Sequence, residues 1–267
     1  MKNALIAAIG ILILIAGCKA PATEESMNHE MNMGMAMKAH GEMQNSLDVM
    51  DFNIAFERPP AETGKEAPLT FKLTRQGEPL TELQIMHEKL MHIILVRKDL
   101  THFDHIHPEK KAPGTFAAPY TFIAAGEYRV WSDFMYGDMQ HYIDFDLNVT
   151  GAPEAQEKDR LYGLKVEMTK PEQIQQGKSA KLTFTITDGN GKAVPITEKF
   201  LGADGHIIVV DETTDEFTHT HDETDDKNNV LSFEYTPEKP GKHKAWVQFS
   251  VDGRNRTAEF EFDVQKA

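Results

Sequence analysis

Residues 86–108 read MHEKLMHIILVRKDLTHFDHIHP, a continuous apolar run flanked by five of the chain's 12 histidines. A second stretch, LGADGHIIVVDETTDEFTHTHD at residues 201–222, repeats the histidine spacing H-x12-H-x-H. The first copy carries His92, His105 and His107, and 114 positions later the second carries His206, His219 and His221. Three imidazoles recur in register while most residues between them differ. This recurrence indicates an internal repeat built around histidine.

Around both stretches, short apolar runs alternate with turn signals, a pattern typical of strands. The runs between residues 48 and 149 recur in the same order between residues 160 and 266, on either side of a short charged linker. Three landmarks of the first copy recur 115 positions later: Gly126, Trp131 and Phe134 match Gly241, Trp246 and Phe249. Units of about 100 residues made of short strands are typical of immunoglobulin-like sandwiches. The sequence therefore predicts an all-β fold with two tandem immunoglobulin-like β-sandwich domains, residues 48–150 and 160–266.

The N-terminus has the pattern of an export signal. An apolar run from residue 4 to residue 17 ends at Cys18, the chain's one cysteine, and is shorter than the ~20 residues that span a bilayer. We predict that residues 1–17 are a signal peptide. The sequence LIAGC at residues 14–18 resembles the bacterial lipobox, which implies that Cys18 is lipidated. The alternative is an uncleaved membrane anchor, and both interpretations predict a bacterial extracytoplasmic, membrane-anchored protein, on the cell surface or in the periplasm.

The charge and the cysteine count exclude several function classes. The formal net charge of −14 disfavours nucleic acid and anionic membrane surfaces as partners and favours cations. If Cys18 carries lipid, the chain has no thiol left for a disulfide, a nucleophile or a thiolate metal site. Any soft metal ligand must then be methionine.

Residues 18–47 are polar and lack a sustained apolar period, so we predict a flexible, disordered tether. Within it, the segment MNHEMNMGMAMKAHGEM holds six of the chain's 13 methionines. Soft thioether sulfur suits Cu(I) or Ag(I). The segment resembles the methionine-rich parts of bacterial periplasmic proteins that handle copper and silver. The resemblance implies that this segment captures soft metal ions, and the alternative is a spacer that is merely rich in methionine. The candidate ligands are Met27, His29, Met31, Met33, Met35, Met37, His40 and Met43.

The histidine triplets predict metal binding. Side chains at i and i+2 of an extended segment point to the same side, so His105 and His107 can converge on one ion, with His92 as the third ligand. Three imidazoles suit copper or zinc, and Met86, Met91 or His87 are candidates for further ligands. We predict a second site, weaker or differently selective, at His206, His219 and His221. The alternative is structural histidines that pin a loop by hydrogen bonds.

The two repeats also resemble a known family. The segments LMHIILVRKDLTHFDHIHP and GEYRVWSDF are similar to the YtkA-like domain, an immunoglobulin-like module of bacterial exported proteins. The resemblance covers most of residues 48–266 and implies fold and compartment more than activity. In the second repeat Pro108 is replaced by Asp222, and the loop around it is acidic.

Three function hypotheses follow from these patterns. The first is an extracytoplasmic lipoprotein that binds copper, as Cu(I) or Cu(II), or silver, with zinc as a further candidate, for sequestration or delivery to a metal transporter or oxidase. The second is an accessory module of a membrane complex, with structural histidines. The third is a zinc enzyme, for which Asp104 or Glu109 would be the general base. Because familiar hydrolase motifs and phosphate-binding loops are missing from the sequence, we predict that the protein is not an enzyme.

Overall fold

The computed structural model of the chain describes residues 52–57, 61–152, 160–222 and 228–267. The signal segment, Cys18 and the methionine-rich tether lie outside the described residues, so the predictions for them stay predictions. Within the described ranges every regular element is a strand, and no helix there is long and apolar enough to cross a membrane.

The first repeat is a sandwich of two sheets. One sheet has the order β1-β2-β7-β6 with β3 beside β2, and the other has the order β5-β4-β8-β9. Its strands are β1 (Phe52–Glu57), β2 (Glu66–Arg75), β3 (Glu78–Pro79), β4 (His92–Arg97), β5 (Phe103–Ile106), β6 (Glu109–Ala112), β7 (Thr115–Thr121), β8 (Gly126–Tyr136) and β9 (Met139–Val149).

The second repeat has the same architecture. One sheet has the order β10-β12-β15 and the other the order β11-β17-β16-β13-β14. Its strands are β10 (Lys165–Thr169), β11 (Ile174–Gln175), β12 (Ala180–Thr187), β13 (Gly205–Asp211), β14 (Phe217–Asp222), β15 (Val230–Tyr235), β16 (Gly241–Val251) and β17 (Arg254–Gln265). The prediction of an all-β chain with two tandem β-sandwich domains is confirmed.

The central strands β4 and β13 are buried on both faces, which explains their continuous apolar sequences. On β4, Ile93 and Leu95 belong to the core of the first repeat. The alternate residues Ile94 and Val96 point the other way, into a third apolar cluster shared by both repeats. Strand β13 alternates in the same way. One sheet of each repeat therefore packs against the matching sheet of the other.

Aromatic rings form the centre of this interface. Phe103 of the first repeat stacks on Trp246 of the second, with ring centroids 4.9 Å apart. The reciprocal pair, Trp131 and Phe217, stacks at 5.1 Å. Both tryptophans are fully buried. Because the two stacks use equivalent residues in opposite directions, each repeat presents the same face to the other.

Two basic side chains at equivalent positions, Arg129 and Lys244, also make reciprocal contacts across the interface. The Arg129 guanidinium donates through Nε to the Thr214 carbonyl, 3.2 Å away. The Lys244 ammonium, at the equivalent position of the second repeat, donates to the Leu100 carbonyl at 2.8 Å. These bonds tie each repeat to a loop of the other.

The segments that carry the H-x-H pairs are strands, although no strand was predicted there. Strand β5 pairs antiparallel with β4, with His105 opposite Ile94. Strand β14 pairs antiparallel with β13, with His219 opposite Ile208 and His221 opposite His206. Polar residues on the face opposite the histidines, such as Asp104, Thr218 and Thr220, hid the strand pattern.

Candidate metal centre

The first histidine triplet lies at the end of the interface beyond the aromatic stacks. His92 begins β4, His105 lies on β5, and His107 follows immediately after that strand. His92 Nδ1 is 2.9 Å from His105 Nε2, and His107 Nε2 is 3.2 Å from the same atom. Three ring nitrogens of the first repeat therefore converge, as the spacing predicts.

The second triplet repeats these two nitrogen contacts. His206 Nδ1 is 3.2 Å from His219 Nε2, and His221 Nε2 is 3.1 Å from that atom. In each triplet the central ring belongs to the first histidine of the H-x-H pair, with a ring from the adjacent central strand on one side.

The two triplets are contiguous, although sequence analysis treated them as two sites. The rings of His105 and His219 have centroids 5.0 Å apart, and those of His92 and His219 are 5.5 Å apart. One donor nitrogen each of His105, His206 and His219 lies within 4.8 Å of the others, and the same holds within the first triplet. We call these six side chains the histidine cluster: His92, His105, His107, His206, His219 and His221.

Two matching tight turns fix the tautomer of one histidine in each triplet. The turns Met86–Lys89 and Phe200–Ala203 each have two consecutive residues with positive φ, as type I′ turns require. The first carbonyl of each turn lies 3.0 Å from His92 Nε2 and 2.8 Å from His206 Nε2, respectively. A carbonyl only accepts, so these Nε2 atoms carry the hydrogen. The Nδ1 atoms that face the cluster therefore carry lone pairs.

The central rings are oriented by residues of the opposite repeat. His219 Nδ1 donates to Asp133 of the first repeat at 3.0 Å. The Gln140 amide donates to both Asp133 oxygens at 2.9 Å, so both oxygens act as acceptors. His105 Nδ1 lies 2.9 Å from Gln248 Oε1 of the second repeat. These bonds leave the Nε2 atoms of both central histidines without hydrogen and facing the cluster.

The resulting contacts are unfavourable without a cation. In the contact between His92 and His105, and in that between His206 and His219, two lone pairs face each other at 2.9 and 3.2 Å. Such pairs make no hydrogen bond, and a buried polar group without a partner is costly. Metal–nitrogen bonds of ~2.0–2.1 Å bring two ligands to these separations at angles of roughly 90–105°. The donor nitrogens are thus spaced as the ligands of a metal ion are.

Burial keeps the cluster neutral. It lowers the pKa of His92 to about 4 and the pKa of His107 and His206 to about 3. Burial, followed by repulsion from neighbouring histidines, also lowers the pKa of the remaining members: His105, His219 and His221. Neutral imidazole is the form that binds metal. Burial raises the pKa of Asp133 to about 7, and the hydrogen bond from the Gln140 amide offsets only part of this rise.

The other ligand candidates lie in different places from those expected. His87, considered for the first site, contacts the second: its ring lies 3.5 Å from that of His221 and 5.6 Å from that of His206. Leu201 occupies the equivalent position in the second repeat. Met91 is buried in the core of the first repeat.

The two carboxylates considered as general bases have other partners. Asp104, on the opposite side of β5 from His105, accepts hydrogen bonds from Tyr120 and Arg160. Glu109 is paired with Lys111.

The residues that orient the histidines were not predicted, although the sequence carries a signal for their positions. Asp133 lies two positions after Trp131, and Gln248 lies two positions after Trp246. Alternation therefore places each on the interface face of its strand, and strand pairing sets Asp133 opposite His92 and Gln248 opposite His206. The tryptophan landmarks pointed to these positions, but their role depends on contacts across the interface.

Solved structures with detectable similarity share little sequence with this chain. Salmonella alpha-2-macroglobulin reacted with methylamine is 12% identical at a TM-score of 0.28, over 80% of this chain and 14% of that one. Bovine butyrophilin is 13% identical at 0.23, over 79% and 98%. Trypsin-activated alpha-2-macroglobulin from Escherichia coli is 12% identical at 0.29, over 80% and 15%. This chain thus spans about one seventh of the two macroglobulins' length.

No curated protein matches the sequence. Two segments of the chain, residues 45–151 and 158–266, match a family described as a domain of unknown function, DUF8832. Each segment contains one of the two sandwiches and one histidine triplet. The chain therefore belongs to the DUF8832 family and carries two copies of its domain.

Proposed function

We propose that this protein binds metal ions in the histidine cluster, as a membrane-anchored lipoprotein outside the cytoplasm. The observation that carries the proposal is the pair of contacts in which hydrogen-free nitrogens face each other, His92 with His105 and His206 with His219. A cation between or beside the two nitrogens of each contact would satisfy both lone pairs. In a purely structural arrangement His107 and His221 can donate to the central rings. The Nδ1 atoms of His92 and His206 would still face a lone pair, whereas buried polar atoms are normally hydrogen-bonded.

Ligand chemistry favours copper or silver. Neutral imidazole suits copper and zinc, and the tether adds soft thioethers, which select Cu(I). Charge favours the monovalent ions. Two unit charges about 5 Å apart repel by roughly 3 kcal/mol at an effective dielectric constant of ~20, and two double charges by about four times as much. Adjacent triplets with neutral ligands therefore accommodate two Cu(I) or Ag(I) ions better than two Zn(II) ions.

The burial of the cluster supports holding rather than turnover. His92 and His206 are fully buried, whereas His107 and His221 are partly exposed at the edge of the cluster. An ion could enter or leave at that edge while the buried rings hold it. We propose sequestration, or delivery to a membrane transporter or oxidase, with the tether capturing ions first. The YtkA-like resemblance and the lipobox-like segment support the exported location.

The competing interpretations make different use of the same residues. A zinc enzyme needs a general base beside the metal-bound water. Asp104 and Glu109 are engaged elsewhere, and Asp133 accepts from His219 and Gln140. We therefore do not assign catalysis to the cluster. An accessory module with structural histidines would hold no stoichiometric metal.

Elemental analysis of the full chain, purified without chelators from cells supplied with copper, silver and zinc, tests the proposal. We expect stoichiometric metal in the wild type and a loss of the cluster's share in a variant with both His105→Ala and His219→Ala. The matched control is His141→Ala, which removes a histidine of the first repeat that bonds to the Tyr136 carbonyl outside the cluster. Metal-free wild type after loading would refute the proposal.

The tether is tested separately with a peptide of residues 26–44. We expect it to bind Cu(I) in preference to Zn(II), because its dense ligands are thioethers. Comparable affinity for both ions would remove the capture step while leaving the cluster untouched.

A further inference from the structure

Each central histidine is oriented by the opposite repeat, but the two orienting groups differ in charge. His219 donates to the Asp133 carboxylate, whereas His105 faces the Gln248 amide oxygen. We infer that the cluster holds two ions in unequal sites, and that the triplet oriented by Asp133 fills first. This inference rests on the proposed metal-binding function and names the order of occupancy.

The donor arrangement supports two ions. The four inner histidines each have one nitrogen available, since the other is hydrogen-bonded. His107 and His221 turn Nε2 towards the central rings. Within a triplet, neighbouring donor nitrogens lie 2.9–3.2 Å apart. Between triplets, the nearest ring centroids are 5.0–6.0 Å apart. Each triplet therefore serves one ion, with His105 also close to His206 and His219, and the two ions are close neighbours.

The carboxylate makes the second triplet the stronger one. A carboxylate that accepts from the far nitrogen of a ligating histidine makes the other nitrogen more basic, and removing such a partner typically costs 10–100-fold in metal affinity. An amide oxygen carries no net charge and polarises the ring less. Asp133 is fully buried, so water screens its charge little. The nearby positive charge of an ion is therefore favoured more in this triplet.

A fourth histidine strengthens the same inequality. The His87 ring lies against His221 of the second triplet, and its counterpart in the second repeat is Leu201. The turn that carries His87 holds it at a positive φ of 46°. His87 therefore gives the second triplet a polar neighbour. The first triplet has no such neighbour from the equivalent turn, because Leu201 has an alkyl side chain.

Cu(I) titration of the full chain tests the order. The titration is done without oxygen, against a chromophoric Cu(I) chelator, in a chain whose tether methionines and histidines are replaced by serine. We expect two ions with distinct affinities. His221→Ala should remove the tighter step and His107→Ala the weaker one, since each of these residues is the outer ligand of its own triplet.

Charge exchange at the two orienting positions separates positioning from folding. We expect Asp133→Asn to weaken the tighter step by about 10–100-fold and to change the weaker step by less than about threefold. Gln248→Glu should strengthen the weaker step by a similar factor, because His105 then donates to a carboxylate. The Thr257 hydroxyl, which accepts from Gln248 Nε2, is able to donate to that carboxylate instead.

The gain of affinity in Gln248→Glu keeps the test informative if Asp133→Asn folds poorly, because a folding defect does not tighten binding. A single bound ion, two equal affinities, or an equal loss at both steps in Asp133→Asn would overturn the inference. Absence of stoichiometric Cu(I) binding in the wild type would instead refute the proposed function.

Discussion

The indole of Trp131 in the first repeat stacks on the phenyl ring of Phe217 in the second, with their planes inclined by 16°. Equivalent residues in the opposite order, Trp246 and Phe103, stack with planes inclined by 15°. All four rings are buried. The two sandwiches therefore share a core, and we expect them to unfold together.

Removal of either phenyl ring is predicted to destabilise both repeats. Phe217→Ala should lower the free energy of unfolding by about 3–5 kcal/mol, because it opens a cavity beside Trp131. Phe103→Ala should cost a similar amount, while Ile85→Ala, at a position that is 71% exposed, should stay within about 0.5 kcal/mol. Urea unfolding followed by tryptophan fluorescence measures all three. Two separate transitions, with Phe217→Ala affecting only one, would show that the sandwiches are independent.

Metal binding should stabilise the fold through the histidine cluster. At a free ion concentration 100-fold above Kd, one ion adds about 2.7 kcal/mol to the free energy of unfolding. We expect the wild type to melt at a higher temperature with Cu(I) than without it. A variant with His105→Ala and His107→Ala should lose the part of this increment that comes from the first triplet, and His141→Ala should keep all of it. An equal loss of stability with and without metal would favour a structural role for the histidines.

Ion charge should decide how many ions the chain binds. We expect two Cu(I) or Ag(I) ions per cluster but one tightly bound Zn(II), because repulsion grows with the product of the two charges. Native mass spectrometry of the chain with a silenced tether counts the ions directly. Two zinc ions with comparable affinities would mean that an anion bridges the sites or that they lie farther apart than the rings indicate.

The metal-free protein should lose stability in mild acid. Each cluster histidine has a folded-state pKa far below 6.5, for example about 4 for His92, so below pH 6.5 the unfolded chain binds more protons. Each such histidine then costs roughly 1.4 kcal/mol per pH unit. Asp133 has the opposite sign: its folded pKa of about 7 makes stability fall as pH rises from 3.8 to 7.

Six histidines outweigh one carboxylate, so we expect the net stability to fall as pH drops from 6.5 towards 4. Urea unfolding at a series of pH values, with and without metal, measures the slope. A variant with His107→Asn and His221→Asn should show a shallower dependence of the free energy of unfolding on pH. A flat profile across this range would contradict the neutral, buried state of the cluster.

Substitution of Cys18 tests the predicted lipid attachment. Cys18→Ser should leave the protein unlipidated and either released from the membrane or retained as precursor. Fractionation of cells and mass measurement of the mature chain check both outcomes. Unchanged membrane association would mean that the N-terminal segment itself is the anchor.

The sequence was sufficient to predict the sandwiches and the convergence within each triplet. The apolar run after His92 has the length of a buried strand, and the i, i+2 spacing of His105 and His107 has a direct geometric meaning. The apposition of the triplets was not predictable in this way, because it depends on which sheet of each sandwich is covered. The four consecutive apolar residues from Ile93 to Val96 were a usable signal, since a strand that is apolar on both faces must be covered on both, as the structure shows.

The role of the residues that orient the ligands could not be predicted for a different reason. Asp133 is 86 positions from His219, and Gln248 is 143 positions from His105. Periodicity relates residues within a strand and pairing relates neighbouring strands, but neither relates two sheets that face each other. Only the packed interface brings these groups into hydrogen-bonding distance.

The reciprocal stacks make the interface isologous, which means that both domains use the same surface. Trp131 contacts Phe217, and their counterparts Trp246 and Phe103 contact each other in the same way. A chain with a single such domain would carry every ring needed to associate with a copy of itself as a homodimer. Duplication and fusion make that association intramolecular, so it no longer depends on protein concentration. Fusion also allows the two domains to differ in sequence. Asp133 and Gln248 differ in a way that no homodimer permits, and an asymmetric centre becomes available to a molecule assembled from two like parts.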